Sequence, residues 1–273
     1  MLHAAGCSST ETLQIVETTP VESGRYSALV VDGRDGRMLY GTNATAPRFP
    51  ASLTKMMTLY MTFEALDQGR ISKSTEIQVS AHAAAQPPTR IGLRPGETID
   101  VETAIRALCV KSANDVAAAL GEHLGGSEAQ FAALMTARAR QLGMTGTTFR
   151  NASGLPDDGQ RTTARDMALL GMALRSRFPH HFRYFSEREF SYRGRRVRGH
   201  NDLLGRVEGV DGIKTGYIRA SGYNIVTSVS RSGRNLVIVV MGADTARARN
   251  ARVEELMERF LPNASGGSLF SRL

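Results

Sequence analysis

Tryptophan is absent from this chain of 273 residues, aromatic residues make up only 6%, and there are two cysteines, Cys7 and Cys109. The two cysteines have no metal-ligand spacing, so no thiolate metal site is expected. Cys109 lies in the apolar run AIRALCV and is expected to be a small buried hydrophobe. No stretch approaches the ~20 consecutive apolar residues of a membrane-spanning helix, so membrane contact is expected to be at most peripheral. The formal charge is +8, with its densest basic run at RGRRVRGH (Arg193 to His200). No aromatic residues interleave there to stack on bases, so the charge reads as a solvated surface and nucleic acid is not expected as a partner. The adjacent His180 and His181 point apart in any regular element and are expected to be a surface pair, not metal ligands.

The scarcest charged residue is lysine: of 34 basic residues only four are lysine, namely Lys55, Lys73, Lys111 and Lys214. A guanidinium stays charged in proteins, whereas a buried ammonium can be driven towards neutrality, so a lysine in an arginine-rich chain marks a candidate place for a proton to leave.

With 41% hydrophobic and 22% charged residues the chain supports one sizeable globular domain. Residues 1–23 are polar and aperiodic and read as a flexible tail. The small residues before Cys7 also suit the remnant of a lipoprotein signal. YSALVVD, GRDG and RMLYG (Tyr26 to Gly41) read as a hairpin. Three more strand-like runs follow Val210, the last two joined at RSGR. Between these clusters the pattern is helical. Leu53, Met56, Met57, Tyr60, Met61 and Phe63 are apolar nearly all round one segment, as in a core helix. Further helices are expected over Val101 to Leu108, Asn114 to Leu124, Glu128 to Leu142, Thr163 to Arg175 and Thr245 to Phe260. The pattern predicts an α/β chain of the α+β kind: one sheet closed by terminal strands, with an all-helical insertion. The last helix is expected to pack on the sheet, with a membrane surface as the alternative. The segment from Pro179 to Leu204 reads as strand plus loop.

Ser52 at the start of the buried helix places Lys55 one turn later on the same face, within reach of the serine oxygen. The apolar neighbours Leu53, Met56 and Met57 would lower the lysine pKa, and serine beside a desolvated lysine is an activated nucleophile. Lys111 opens KSAND, where Ser112 and Asn114 offer a hydroxyl and an amide suited to relaying a proton and bonding a substrate amide. Ser-Ala-Asn could equally cap the following helix. Lys214 opens KTG, a cation beside the hydroxyl of Thr215, with Gly216 expected to let substrate backbone approach the strand. An edge charge is the alternative for Lys214.

Together and in order, Ser-x-x-Lys, Ser-x-Asn and Lys-Thr-Gly match the motif set of class A β-lactamases and penicillin-binding proteins. The chain resembles the serine-type D-alanyl-D-alanine carboxypeptidases, the low-molecular-mass penicillin-binding proteins, from about Arg25 to Leu261. The resemblance is carried also by LCVKSANDVAAALGEHLGG, LGMTGTTFRNASGLPDDGQRTTARDMALLG and NDLLGRVEGVDGIKTGYIRASGYN. It implies the β-lactamase/transpeptidase-like fold, with a mainly antiparallel five-stranded sheet covered by helices. It places a catalytic domain at 24–262 and a short tail at 263–273.

The resemblance further implies Ser52 as nucleophile, Lys55 as its base and Ser112 as proton relay to the departing D-alanine. Asn114 would hold the peptide backbone, Lys214 and Thr215 the terminal carboxylate, and the backbone N–H groups of Ser52 and Tyr217 the oxyanion. Tyr217 stands where the family often has His, and His200 where some relatives carry an arginine near the carboxylate. The implied partners are a peptidoglycan stem peptide ending in D-Ala-D-Ala and β-lactam antibiotics, in the periplasm or cell envelope. No cofactor or metal is implied. The rivals are a β-lactamase and a catalytically silent wall-binding scaffold. The region NASGLPDDGQRTTARD has aspartates but no glutamate to serve as the deacylating base of a class A β-lactamase.

Overall fold

Strand β1 (Ser27–Asp32) turns back into β2 (Met38–Thr42), with Val30 opposite Tyr40. A short 3₁₀ turn over Ala51–Thr54 then leads into α1 (Lys55–Asp67). In this computed structural model, which describes residues 24–263, the insertion that follows carries β3 (Glu76–Gln78), α2 (Ala81–Ala84), β4 (Thr98–Asp100) and α3 (Val101–Arg106). It continues with α4 (Asn114–Gly125), α5 (Glu128–Gln141), α6 (Ala164–Arg177) and α7 (Pro179–Phe182), then the hairpin β5 (Glu189–Tyr192) and β6 (Arg195–Arg198). The chain returns to the main sheet through β7 (Val210–Ile218), β8 (Gly222–Arg231) and β9 (Arg234–Ala243), and α8 (Ala246–Phe260) follows. The expected tail at 1–23 with Cys7, and residues 264–273 of the expected C-terminal tail, lie outside the described residues.

The main sheet has the order β2-β1-β9-β8-β7, all neighbours antiparallel. Strand residues alternate between faces, and here both faces are apolar. Val237, Val239 and Met241 of β9 pack with Leu29 and Val31 against the core of α1, α4 and α6. Leu236, Ile238 and Val240 join Ala28 and Val30 against Val253, Leu256 and Met257 of α8. The last helix thus packs on the sheet, and the membrane-surface alternative falls because its apolar stripe is already buried. Side-chain caps start the helices where the sequence offers them: Thr163 accepts from the Asp166 N–H at 3.0 Å and Thr245 from the Ala248 N–H at 3.0 Å.

Several expectations are corrected. The helix expected to run to Leu108 stops at Arg106 and widens into a π-type turn over Ala107–Lys111. The segment from Pro179 forms α7, a 3₁₀ turn and then the β5–β6 hairpin. Arg193 and Gly194 both take positive φ there (49° and 70°), as a tight hairpin turn requires. The histidine pair divides: His180 is exposed, whereas His181 stacks on Phe63 at 4.9 Å and contacts Asp67 at 2.9 Å. Cys109 is a half-buried free thiol on a cavity wall beside Lys214, and not a fully enclosed hydrophobe.

Candidate active site

Ser52 stands in the 3₁₀ turn between β2 and α1. The residue before it, Ala51, has φ of 49°, a left-handed conformation that costs a non-glycine residue about 1 kcal/mol and so needs outside support. Asn224 of β8 supplies it. Its wholly buried amide donates to the carbonyls of Phe49 (3.1 Å) and Pro50 (3.3 Å) and accepts from the Gly242 N–H (2.9 Å). Gly216 of β7 lies against the same turn, and a Cβ there would stand 3.0 Å from the Ser52 nitrogen. The glycine of Lys-Thr-Gly is therefore required by the protein's own nucleophile turn, besides lining the cleft where a substrate backbone is expected to approach. On the other side Gly154, at φ +86°, lets its loop touch the Ala51 carbonyl, which a Cβ would meet at 1.8 Å.

Lys55 is fully buried at the first turn of α1, and its Nζ lies 3.3 Å from Ser52 Oγ. The same nitrogen donates to Asn114 Oδ1 at 2.7 Å and to the Ser153 carbonyl at 2.5 Å. Burial first, and then the Lys214 cation, hold its pKa well below that of an ordinary lysine. A neutral amine has two hydrogens, which satisfy Asn114 and Ser153. Its lone pair is then free to accept from the Ser52 hydroxyl.

Asn114 opens α4, and its amide nitrogen also donates to the Pro87 carbonyl at 2.9 Å. The neighbouring Asp115 carboxylate takes the N–H groups of Ile91, Gly92 and Leu93 at 3.3, 2.9 and 3.1 Å, fixing the loop beside the cleft. Ser112 has φ of 61° in the left-handed region, and its buried Oγ has no hydrogen-bond partner among the described residues. It does not cap α4, because the residue at the cap is Ala113 and no side chain bonds there. That hydroxyl is left for something that enters the cleft.

Lys214 is buried on β7, so the edge-charge alternative fails; its Nζ donates to the Thr215 carbonyl at 3.0 Å. Burial and, more weakly, the Arg249 cation pull its pKa down to about 8. Sequence reasoning missed Arg249 altogether. This residue, from the first turn of α8, is only 3% exposed, and burial lowers its pKa to about 10. Its Nε and Nη2 both donate to Asn250 Oδ1, at 3.0 and 2.8 Å, and among the described residues no carboxylate lies within ion-pair distance. A buried arginine leaves little signal in a chain so rich in arginine.

A cavity of about 390 Å³ is lined by Ser52, Ser112, Thr215, Gly216, Tyr217 and Arg249, with His200 on its rim. Tyr217 is half exposed and its ring meets that of Tyr223 at a tilt, with centroids 4.4 Å apart. His200 is pushed below the usual imidazole value by partial burial and by the Lys214 and Lys111 cations, so it faces the cleft as a neutral ring near pH 7. Lys55 lies behind this wall, touching the nucleophile from inside. Of the site residues expected from the sequence, Ser52, Ser112, Thr215, Gly216, Tyr217 and His200 line this cavity, Lys55 and Asn114 stand behind it, joined to Ser52 through the Lys55 amine, and Lys214 lines the adjoining cavity. Among the described residues no three His, Cys, Asp or Glu side chains gather as metal ligands.

Comparison with known proteins agrees with this geometry. The family model for D-alanyl-D-alanine carboxypeptidases of the peptidase S11 group matches residues 14–245. The chain is 36% identical over 251 residues to D-alanyl-D-alanine carboxypeptidase DacC of Escherichia coli, covering 89% of this chain and 62% of that protein. Among solved structures, penicillin-binding protein 5 of Haemophilus influenzae superposes with a TM-score of 0.83 at 31% identity, covering 89% of this chain and 72% of that one. Penicillin-binding protein D2 of Listeria monocytogenes, solved in a cefotaxime-bound form, superposes with a TM-score of 0.77 at 33% identity, covering 85% of this chain and 95% of that one. The chain spans about three fifths of the length of the first curated relatives it matches. With its three motifs gathered on one cleft in the penicillin-binding protein fold, the chain belongs to the D-alanyl-D-alanine carboxypeptidase family.

Proposed function

We propose that this chain hydrolyses the terminal D-Ala-D-Ala bond of peptidoglycan stem peptides through an acyl-enzyme on Ser52, and that β-lactams acylate the same serine. The observation that carries this reading is the fully buried Lys55 amine, 3.3 Å from Ser52 Oγ and held by Asn114 and Ser153. Its surroundings disfavour the charged form, and it is aimed at one hydroxyl.

Ser52 Oγ attacks the penultimate D-alanine carbonyl as its proton passes to Lys55. The backbone N–H groups of Ser52 and Tyr217 receive the oxyanion. The C–N bond breaks, and the leaving D-alanine amine takes its proton by way of Ser112, whose hydroxyl is otherwise unpartnered. Water then attacks the ester, giving the shortened peptide and free Ser52. Asn114 can still offer its second amide hydrogen to the peptide backbone. Lys214, Thr215 and Arg249 form the carboxylate site, which supports recognition of a free C-terminus. A guanidinium from α8 thereby supplies what His200 does not.

The reading as a β-lactamase finds no support around the nucleophile. The glutamate near Lys55, Glu128, is engaged by the Ala152 N–H at 3.0 Å and by His82 at 2.7 Å, so it is not poised over the ester. The substrate also supports placement in the periplasm or cell envelope, with residues 24–262 as the catalytic domain. Intact mass after incubation with a penicillin should show one slowly released adduct on Ser52, and a synthetic pentapeptide should release D-alanine. Absence of both on folded protein would refute the proposal, and rapid turnover of nitrocefin would favour a β-lactamase.

A further inference from the structure

Past the carboxylate end of the cleft lies a second cavity of about 590 Å³. It shares Gly199, His200, Asp202 and Thr215 with the Ser52 cavity, and Lys214 stands on its inner wall. A pocket that ended at the terminal carboxylate would need no such space, and the methyl group of a departing alanine would leave it empty.

The charges on its walls do not cancel. Glu187 is taken by Arg106 at 3.2 Å, and Glu189 by Arg196 at 2.5 Å. Arg206 is held by Glu254 at 2.6 Å, outside the cavity. Asp202, on the shared rim, acts on Arg249 and His200. Arg188 and Arg198 remain with no ion-pair or side-chain hydrogen-bond partner among the described residues. Arg188 lies over Gly205, where a Cβ would stand 2.6 Å from its Nη1. Arg198 ends β6, so the hairpin turn at Arg193 and Gly194 sets where its guanidinium falls.

We propose that this second cavity is a subsite for the leaving group, and that Arg188 and Arg198 select leaving amino acids that carry a second carboxylate. The assignment rests on the carboxypeptidase reading above, because that reading places the leaving group's α-carboxylate at Lys214 and Thr215. From there an acidic side chain extends past Thr215 into the cavity. The reaction is unchanged in its balance: the D-alanyl C–N bond is hydrolysed, and an acidic amino acid leaves in place of D-alanine.

The test compares three synthetic substrates that share one acyl-D-alanyl part and end in D-Ala, D-Glu or D-Gln. The last two differ only in charge. At low salt kcat/KM for the D-Glu peptide should exceed that for the D-Gln peptide about tenfold, the worth of one charge-assisted contact. The preference should shrink as ionic strength rises. In the double variant Arg188→Gln/Arg198→Gln the preference should disappear, while D-Ala release and penicillin acylation stay at the wild-type rate; these two also report that the variant is folded. Equal kcat/KM for the D-Glu and D-Gln peptides alongside normal D-Ala release would overturn the subsite and leave the carboxypeptidase reading intact. Failure to cleave any of the three, with no penicillin adduct, would sink both. A preference that survives the double variant would overturn the roles of Arg188 and Arg198.

Discussion

The Lys55 amine has three polar neighbours, and only its neutral form can give two of them a hydrogen while accepting one from Ser52. Arginine cannot adopt that form. The change Lys55→Arg should therefore lower acylation by penicillin about 10²–10⁴-fold, measured as the rate of adduct formation, the range expected for loss of a positioned base. Lys214 sets the opposite pH limb. Its pKa near 8 means that the cation is present below that pH and lost as pH rises through it. For the free enzyme kcat/KM on a carboxylate-ended peptide should rise with pH as Lys55 deprotonates, at a pH well below that of an ordinary lysine, and fall again above about 8. Lys214→Arg, a charge that does not titrate, should move the falling limb to higher pH; a profile identical to wild type would contradict the assignment.

The nucleophile turn is an arrangement of elements. β8 holds it through Asn224, β7 lies against it at Gly216, and the loop after α5 closes on it at Gly154. Asn224→Ala would remove the amide that ties the Phe49 and Pro50 carbonyls and the Gly242 N–H together around the left-handed Ala51. The expected cost is about 2–4 kcal/mol in urea denaturation, with slower acylation even under conditions where the protein is fully folded. Gly154→Ala combines a positive φ with a Cβ at 1.8 Å from the Ala51 carbonyl, so about 3 kcal/mol or more is expected, together with a weakened Ser153–Lys55 contact. The strands and helices that bear these residues were legible from periodicity. The β5–β6 hairpin was not, because its polar, arginine-rich strands lack an apolar alternation. The positive φ values at Arg193 and Gly194 that define its turn follow no Asn-Gly or Asp-Gly signal.

Over the whole molecule the sheet separates two cores, and only one of them packs around the helix that carries Lys55. Leu256 is fully buried in the outer core, between α8 and the strands. Leu256→Ala should cost about 2–5 kcal/mol in urea denaturation while leaving the penicillin acylation rate of the folded protein near wild type. A large effect on acylation without loss of stability would mean that α8 does more than cover the sheet and carry Arg249 at its start.

The sequence by itself determined the chemistry. A serine and a lysine one helical turn apart must lie side by side wherever the helix goes, and lysine's scarcity in an arginine-rich chain marks positions where a removable proton or a compact cation is required. It also determined the family, since three short motifs stand in order. Tertiary structure alone decided what those groups become. Lys55 turns into a base only because Asn114, from 59 positions further along, and Ser153, 98 positions along, surround it without water. Gly216 serves the turn of Ser52, and Arg249 enters the cleft from a helix on the far face of the sheet. Desolvation and convergence depend on residues distant in sequence, and no local pattern encodes which side chains will share a buried space.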